Sequence, residues 1–288
     1  MTYARPDGLV STEWLAGHLD DPGVRIVDVT YFHHSLKRNA RAEHDAKHIP
    51  GAVHFDIDYI KMAGDPRPHM LPTPELFAEK VGALGIGNDH RVVCYDMLGL
   101  QTAARAWWMF RIFGHDKVAV LDGGLPKWIA EGRPVTDRPA AIRPAGFKAT
   151  FRPRLVRSLD DVRANIGSKK EQVVDARAAG RFQGVEKELW PGRPGHIPGS
   201  RNLPFPDLLD PKDKTFLPAE QIKAKFAASG LDLGKPIVAS CGSGVTACVL
   251  ALGAYLVGKD DVPVYDGSWS EWGLREDVPA ATGPAAPA

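Results

Sequence analysis

The chain has 288 residues, 44% of them apolar and 25% charged. That balance excludes fibrous, collagen-like and wholly disordered proteins and leaves room for one large or two ordinary globular domains. Thirty-six Lys and Arg against 35 Asp and Glu leave a net charge of +1, so there is no basic field to hold nucleic acid or an anionic membrane, and a small molecule is the expected partner.

The start, Met1 to Asp7, lacks the apolar core of a secretory signal, and no run reaches the roughly 18 to 20 apolar residues that span a bilayer. The sequence therefore predicts a cytoplasmic protein with no membrane segment. Its three cysteines, Cys94, Cys241 and Cys248, are too few for a disulfide framework and form no C-x-x-C pair. Free thiols and no metal site are expected.

In chain order, residues 24–29 read as a short buried strand with an Asp at its end, Asp28, followed by His48-Ile49-Pro50-Gly51. Residues 74–84 read as a helix, 91–96 as a strand ending at Asp96, 101–113 as a helix, and 118–121 as a strand running into Asp122-Gly123-Gly124. A stretch rich in Pro, Arg and Ala follows, and then the order repeats. Residues 172–177 match the first strand, His196-Ile197-Pro198-Gly199 the His segment, 236–241 the second strand, and 262–265 with Asp266-Gly267-Ser268 the third. Asp28 to His48 spans 20 residues and Asp175 to His196 spans 21, and Trp128 and Trp272 stand at equal distances past Asp122 and Asp266.

Landmarks in one order at nearly equal spacing indicate duplication. Short apolar strands alternating with helical segments indicate parallel sheets covered on both faces. The prediction is an α/β protein of two tandem domains, 1–135 and 154–288, joined by a linker over 136–153. Each domain has a parallel-sheet core with helices on both faces, and the end after Val278 is expected to fray.

Open parallel sheets bind ligands at the carboxyl ends of their strands, and there the two halves differ. The second has Cys241-Gly242-Ser243-Gly244-Val245-Thr246, whose glycines permit a cradle of inward N–H groups at a helix start. An ordinary thiol, with a pKa of about 8.5, is mostly protonated at neutral pH, and a helix N-terminus favours its anion. The other reading of Cys241 is a small buried residue. The first half has Asp96 at this position, so that domain is expected to be catalytically silent. Cys94, inside a strand, and Cys248, on a helix, read as core residues.

These segments resemble the tandem rhodanese-domain sulfurtransferases, and within them the 3-mercaptopyruvate sulfurtransferases. The likeness covers nearly the whole chain. It rests on Cys241 to Thr246, both His-Ile-Pro-Gly segments, Trp107-Trp108-Met109-Phe110-Arg111, Leu121-Asp122-Gly123-Gly124 and Asp266-Gly267-Ser268-Trp269. The resemblance implies ping-pong transfer. The Cys241 thiolate takes sulfur from a small-molecule donor as a persulfide, and cyanide or a thiol acceptor, either a small thiol or a thioredoxin-like protein, removes it. No organic cofactor is implied.

Thiosulfate-using relatives resemble one another in carrying Arg-Lys after the cysteine, where this chain has Gly242 and Ser243. A neutral loop suits a monoanionic keto acid held by an Arg outside it, so mercaptopyruvate is the expected donor and thiosulfate the alternative. The resemblance places the donor's carboxylate on Arg181, and Gly242, Gly244, Val245 and Thr246 around the transferred sulfur. Where a second Arg is expected stands Trp190, with Arg193 or Lys187 as substitutes. It also implies a proton relay of Ser243 and His48 with a first-domain acid. The nominal acid position holds Asn39, which leaves Glu43 or Asp45, and His196 reads as structural. Asp28, Asp122, Asp175 and Asp266 read as caps on backbone amides. A phosphatase would need an Arg at the loop's end, and residues 242–247 contain none. A persulfide carrier or interaction module is the non-enzymatic alternative.

Overall fold

Each half of the chain builds a five-stranded, all-parallel sheet, and the computed structural model describes residues 2–285. The first half contains β1 (Leu9–Val10), α1 (Thr12–Ala16), β2 (Val24–Asp28), α2 (Ala40–Ala46), β3 (Val53–His54), α3 (Pro74–Ala83), β4 (Arg91–Tyr95), α4 (Ala103–Ile112), β5 (Val118–Leu121) and α5 (Gly124–Ala130). The second contains β6 (Val156–Arg157), α6 (Leu159–Ser168), β7 (Gln172–Asp175), α7 (Ala179–Gln183), β8 (Arg201–Asn202), α8 (Ala219–Ala228), β9 (Ile237–Ser240), α9 (Ala247–Leu256), β10 (Val264–Tyr265) and α10 (Ser268–Trp272).

Strand order is β1-β5-β4-β2-β3 in one sheet and β6-β10-β9-β7-β8 in the other, so the duplication read from the sequence is a duplication of topology. The edge strands β1, β3, β6 and β8 were not predicted. Two residues apiece are too short to show an alternating pattern. Among the described residues no helix is long and apolar enough to cross a membrane.

Strand parity decides which side chains meet. In β4, Val92 and Cys94 enter the large core shared by both halves, while Val93 and Tyr95 enter a smaller core on the outer face. In β9, Ile237 and Ala239 enter the shared core, Val238 the outer one, and Cys241, next in phase, the shared core. The cysteine is thereby aimed at the seam between the halves.

That seam is made by α4 against α9, with Trp107 packed edge-on against Tyr255 at 5.3 Å. Trp107, Trp108 and Phe110 are buried in the shared core, and Trp269 and Trp272 in the outer core of the second half.

The stretch predicted as a linker contains no α-helix or regular strand and runs into a 3-10 turn at Pro153–Leu155, but it lies against the first half. Ala145 N donates to Gly82 O at 2.9 Å, Thr150 N to Phe113 O at 2.8 Å, and Arg152 N to Ile112 O at 2.7 Å. The fraying expected after Val278 is not seen in the part described. Trp272 Nε1 donates to Pro279 O at 2.8 Å, Ala281 pairs with His196, and Gly283 N donates to Gln183 O at 2.8 Å. Backbone pairing outweighs composition here, and residues 286–288 lie outside the described residues.

The four strand-end carboxylates do cap amides, two of them across the seam. Asp28 Oδ1 accepts from Thr30 N at 3.0 Å and Asp175 Oδ1 from Arg177 N at 2.9 Å. Asp122 Oδ1 accepts from Phe216 N, and its repeat mate Asp266 Oδ2 from Leu71 N, each at 2.8 Å. Asp266 is also paired with Arg105. Asp122 has no ion-pair partner among the described residues, and burial lifts its carboxyl to about 7.

Folding therefore prefers protonated Asp122. This contribution is full below the unfolded value of about pH 4 and is lost as pH rises through 7. Asp122→Asn, which keeps an oxygen for Phe216 N, is expected to raise Tm at about pH 8.5 and not at about pH 5. Equal shifts in thermal melts at both pH values would discard the titration.

Candidate active site

Where β9 ends, the chain is held by the start of α10. Cys241 N donates to Ser268 Oγ at 3.1 Å, and that hydroxyl donates to Tyr265 O at 2.8 Å. The Cys241 and Gly242 carbonyls accept from Trp269 N at 3.0 Å and Ser270 N at 2.7 Å. Both glycines of the loop answer a steric demand. Gly244 has φ +75°, and a Cβ there would lie 2.5 Å from Asp266 O. A Cβ on Gly242 would lie 3.2 Å from the Trp190 ring.

The loop runs directly into α9, whose first-turn N–H groups have no intrahelical acceptor. Cys241, only 2% exposed, stands at the wall of a cavity of about 210 Å³ between the halves.

The first half shows what such a loop does with an anion. Asp96 turns its carboxylate back into its own loop and accepts from the N–H groups of Leu98 (2.8 Å), Gln101 (2.8 Å), Thr102 (2.7 Å) and Ala103 (2.8 Å). Thr102 and Thr246 occupy the same position before α4 and α9, so the second loop carries the corresponding amides at Val245, Thr246 and Ala247. A sulfur stands there in place of the carboxylate. The Asp96 loop is filled by its own side chain, whereas the Cys241 loop faces a cavity.

Gly242, Ser243, Val245, Thr246 and Arg181 line that cavity with Cys241. Gly244 lies under the loop, with its carbonyl accepting from Arg105 Nη1 at 3.2 Å and from Cys248 Sγ at 3.2 Å. Cys94 and Cys248 are fully buried, and burial pushes both thiols well up.

Two predicted residues are placed elsewhere. The His48 ring, stacked on His44, has Nδ1 2.7 Å from His44 O and Nε2 3.1 Å from Arg138 O, and it lines no part of the cavity. Its segment is a turn against the linker, as is usual for an Ile-Pro-Gly corner. Arg193 donates through Nη2 to Val278 O and through its backbone N to Gly273 O, and Trp269 Nε1 donates to Arg193 O at 3.0 Å. It ties down the chain end and also lies outside the cavity. Lys187 is exposed. The acids proposed near His48 do not reach the loop either. Asn39 caps α2, Glu43 pairs with Arg38, and Asp45 pairs with Arg41. His196 accepts the structural role, with Nδ1 2.9 Å from Phe182 O.

The imidazole that lines the cavity is His33, whose Nε2 is buried without a hydrogen-bond partner among the described residues; behind Trp190 stands His69. Its Nδ1 lies 3.0 Å from Asp58 Oδ1, and its Nε2 is buried without a hydrogen-bond partner among the described residues. Its carbonyl accepts from the same Arg105 guanidinium that holds Gly244 O. The His69 backbone is left-handed, φ +58°, a conformation that costs a non-glycine residue free energy. Burial lowers the pKa of its ring, so the neutral form prevails.

The roof is the residue that stands where the resemblance expects a second Arg. Trp190 stands over Gly242, edge-on to His33 at 4.8 Å and to His69 at 5.7 Å. His33 and His69 are not singled out by the sequence, because comparison of the halves finds only what is repeated.

Two parallel-sheet domains with one cysteine cradle and one carboxylate-filled copy define the class, and the chain belongs to the rhodanese family. The model of the rhodanese-like domain matches residues 11–131 and 158–275. The chain is 47% identical to human 3-mercaptopyruvate sulfurtransferase over 94% of each protein. It is 46% identical to thiosulfate sulfurtransferase of Bos taurus, over 92% of this chain and 91% of that protein. It is also similar to the crystal structure of the 3-mercaptopyruvate sulfotransferase SseA from Escherichia coli, with TM-score 0.83 and 39% identity over 92% of this chain and 99% of that one.

Proposed function

We propose that this chain is a sulfurtransferase that moves sulfur from 3-mercaptopyruvate through a Cys241 persulfide to a thiol or cyanide, with Arg181 holding the donor's carboxylate. Relatives named for mercaptopyruvate and for thiosulfate are about equally similar, so sequence likeness does not choose the donor. The observation that carries the choice is the charge of the cavity: among the described residues lining it, Arg181 is the one Lys or Arg, and the loop itself is neutral. One guanidinium matches one carboxylate, whereas thiosulfate brings two negative charges.

In the reaction, the Cys241 thiolate attacks the donor's sulfur. A sulfur–sulfur bond forms, the carbon–sulfur bond breaks, and the electron pair leaves on carbon as the enolate of pyruvate. That carbon takes up the proton given by the donor's thiol. Ser243 and His33, both on the cavity wall, are the groups placed to carry that proton. The loop amides stabilise the thiolate and the persulfide anion. A thiol or cyanide then attacks the outer sulfur and Cys241 leaves as thiolate.

The test is thiocyanate formation from cyanide with each donor in parallel. A kcat/KM strongly favouring mercaptopyruvate is expected, and a preference for thiosulfate would overturn the choice. Arg181→Ala is expected to raise KM for mercaptopyruvate at least about tenfold with a smaller change in kcat, since a charge-assisted hydrogen bond is worth about 1.5 to 3 kcal/mol. An unchanged KM would remove Arg181 from the site.

A further inference from the structure

One buried carboxylate beside the donor pocket takes no part in the reaction described. The Glu188 side chain is 5% exposed, with Oε1 3.3 Å from Arg177 Nη1 and 3.8 Å from Arg181 Nη1. Neither of its oxygens has a hydrogen-bond partner among the described residues. Arg177 is fully buried and already committed. Its Nε lies 3.1 and 3.0 Å from the two Asp175 oxygens, and its Nη2 lies 2.7 Å from Asp175 Oδ2 and 2.8 Å from Gly195 O.

The charges can therefore be paired off. Asp175 cancels Arg177, and ionised Glu188 then cancels Arg181, the cation that faces Cys241. In that state the pocket is neutral before any donor arrives. With Glu188 protonated, the same four groups carry +1 and match a single carboxylate. The other titratable groups nearby are His33, whose ring is shifted down mainly by burial, His196, stacked on Phe182, and Glu186 and Lys187, which are exposed.

Resting on the assignment of Arg181 to the donor's carboxylate, we propose that Glu188 is a positioning residue that takes up a proton from solvent when that carboxylate binds and returns it when pyruvate leaves. A carboxylate on Arg181 and an ionised Glu188 beside it oppose each other, so each disfavours the other through linkage. Burial already pushes the Glu188 carboxyl up, which brings its titration toward the working pH.

The experiment uses the full chain and pyruvate, a keto acid with no sulfur to transfer and ionised at every pH used. Calorimetric titration in two buffers of different ionisation enthalpy is expected to show proton uptake on binding. The wild-type Kd is expected to rise about tenfold between about pH 5 and pH 8, the span of one unit of coupling. Glu188→Gln is expected to bind pyruvate at the higher pH about as tightly as wild type does at the lower one, with no buffer dependence. A merely structural residue would weaken binding on replacement. If pyruvate binding requires Arg181 but Glu188→Gln keeps the wild-type pH and buffer dependence, the role of Glu188 is overturned and the Arg181 assignment stands. If Arg181→Ala binds pyruvate as wild type does, both fall.

Discussion

Cys241→Ala is expected to abolish sulfur transfer from mercaptopyruvate and from thiosulfate alike, while the protein stays folded. The change removes one sulfur atom from a wall of the cavity, and the loop is fixed by main-chain bonds that do not involve the side chain: Cys241 N to Ser268 Oγ, Trp269 N to Cys241 O and Ser270 N to Gly242 O. Without the thiolate there is nothing to attack the donor, and no other thiol can substitute. Cys94 and Cys248 are wholly buried, with their thiols pushed up, and Cys248 Sγ donates under the loop to Gly244 O. Intact mass after incubation with donor provides the check: wild type and Cys248→Ala gain one sulfur atom and Cys241→Ala gains none. Cys248→Ala leaves a small void and loses its bond to Gly244, so it is expected to melt earlier yet turn over. Thiocyanate production by Cys241→Ala at the wild-type rate would sink the nucleophile.

The architecture was legible because it is written twice. Residues 24–29, 91–96 and 118–121 recur as 172–177, 236–241 and 262–265, and each pair became mated strands in the same sheet order. Cys241 was legible because it differs from its mate: Asp96, in the corresponding loop, accepts four amides that a ligand would otherwise meet. Self-comparison is blind to residues that one half alone carries. His48, which has a mate in His196 and a turn to hold, was put forward by the resemblance, whereas His33 and His69 carry no mark in either reading. Arg105 reads in sequence as one cation inside an apolar helix, and its partner Asp266 is 161 residues away. Glu188 lies in a segment of mixed charge where nothing marks it for burial. Arg193 stood close in sequence to the expected second Arg, but a hydrogen bond to Val278 O carries it to the chain's end.

Arg105→Met is expected to destabilise the protein by about 3 to 5 kcal/mol, the usual cost of removing one partner from a buried ion pair. The guanidinium is fully buried over the Trp108 ring. It donates to Asp266 Oδ1 at 2.7 Å, to Gly244 O at 3.2 Å and to His69 O, so one side chain joins the strand end of the second half, the cysteine loop and the histidine of the first half. Methionine fills much of the same volume, so the loss comes from leaving Asp266 charged and buried with only Leu71 N to serve it. Urea unfolding measures that loss. Adding Asp266→Asn removes the stranded charge and keeps an acceptor for Leu71 N, so the double variant is expected to recover part of the stability. Activity separates from stability at this point, because neither variant restores the clamp between Gly244 and His69. kcat with mercaptopyruvate is therefore expected to stay low in the double variant, with KM little changed, since Arg181 belongs to a different element. A double variant that recovered kcat along with stability would show that Arg105 acts on the fold alone. A single variant that lost less than about 1 kcal/mol would place it among the weak pairs of exposed surfaces.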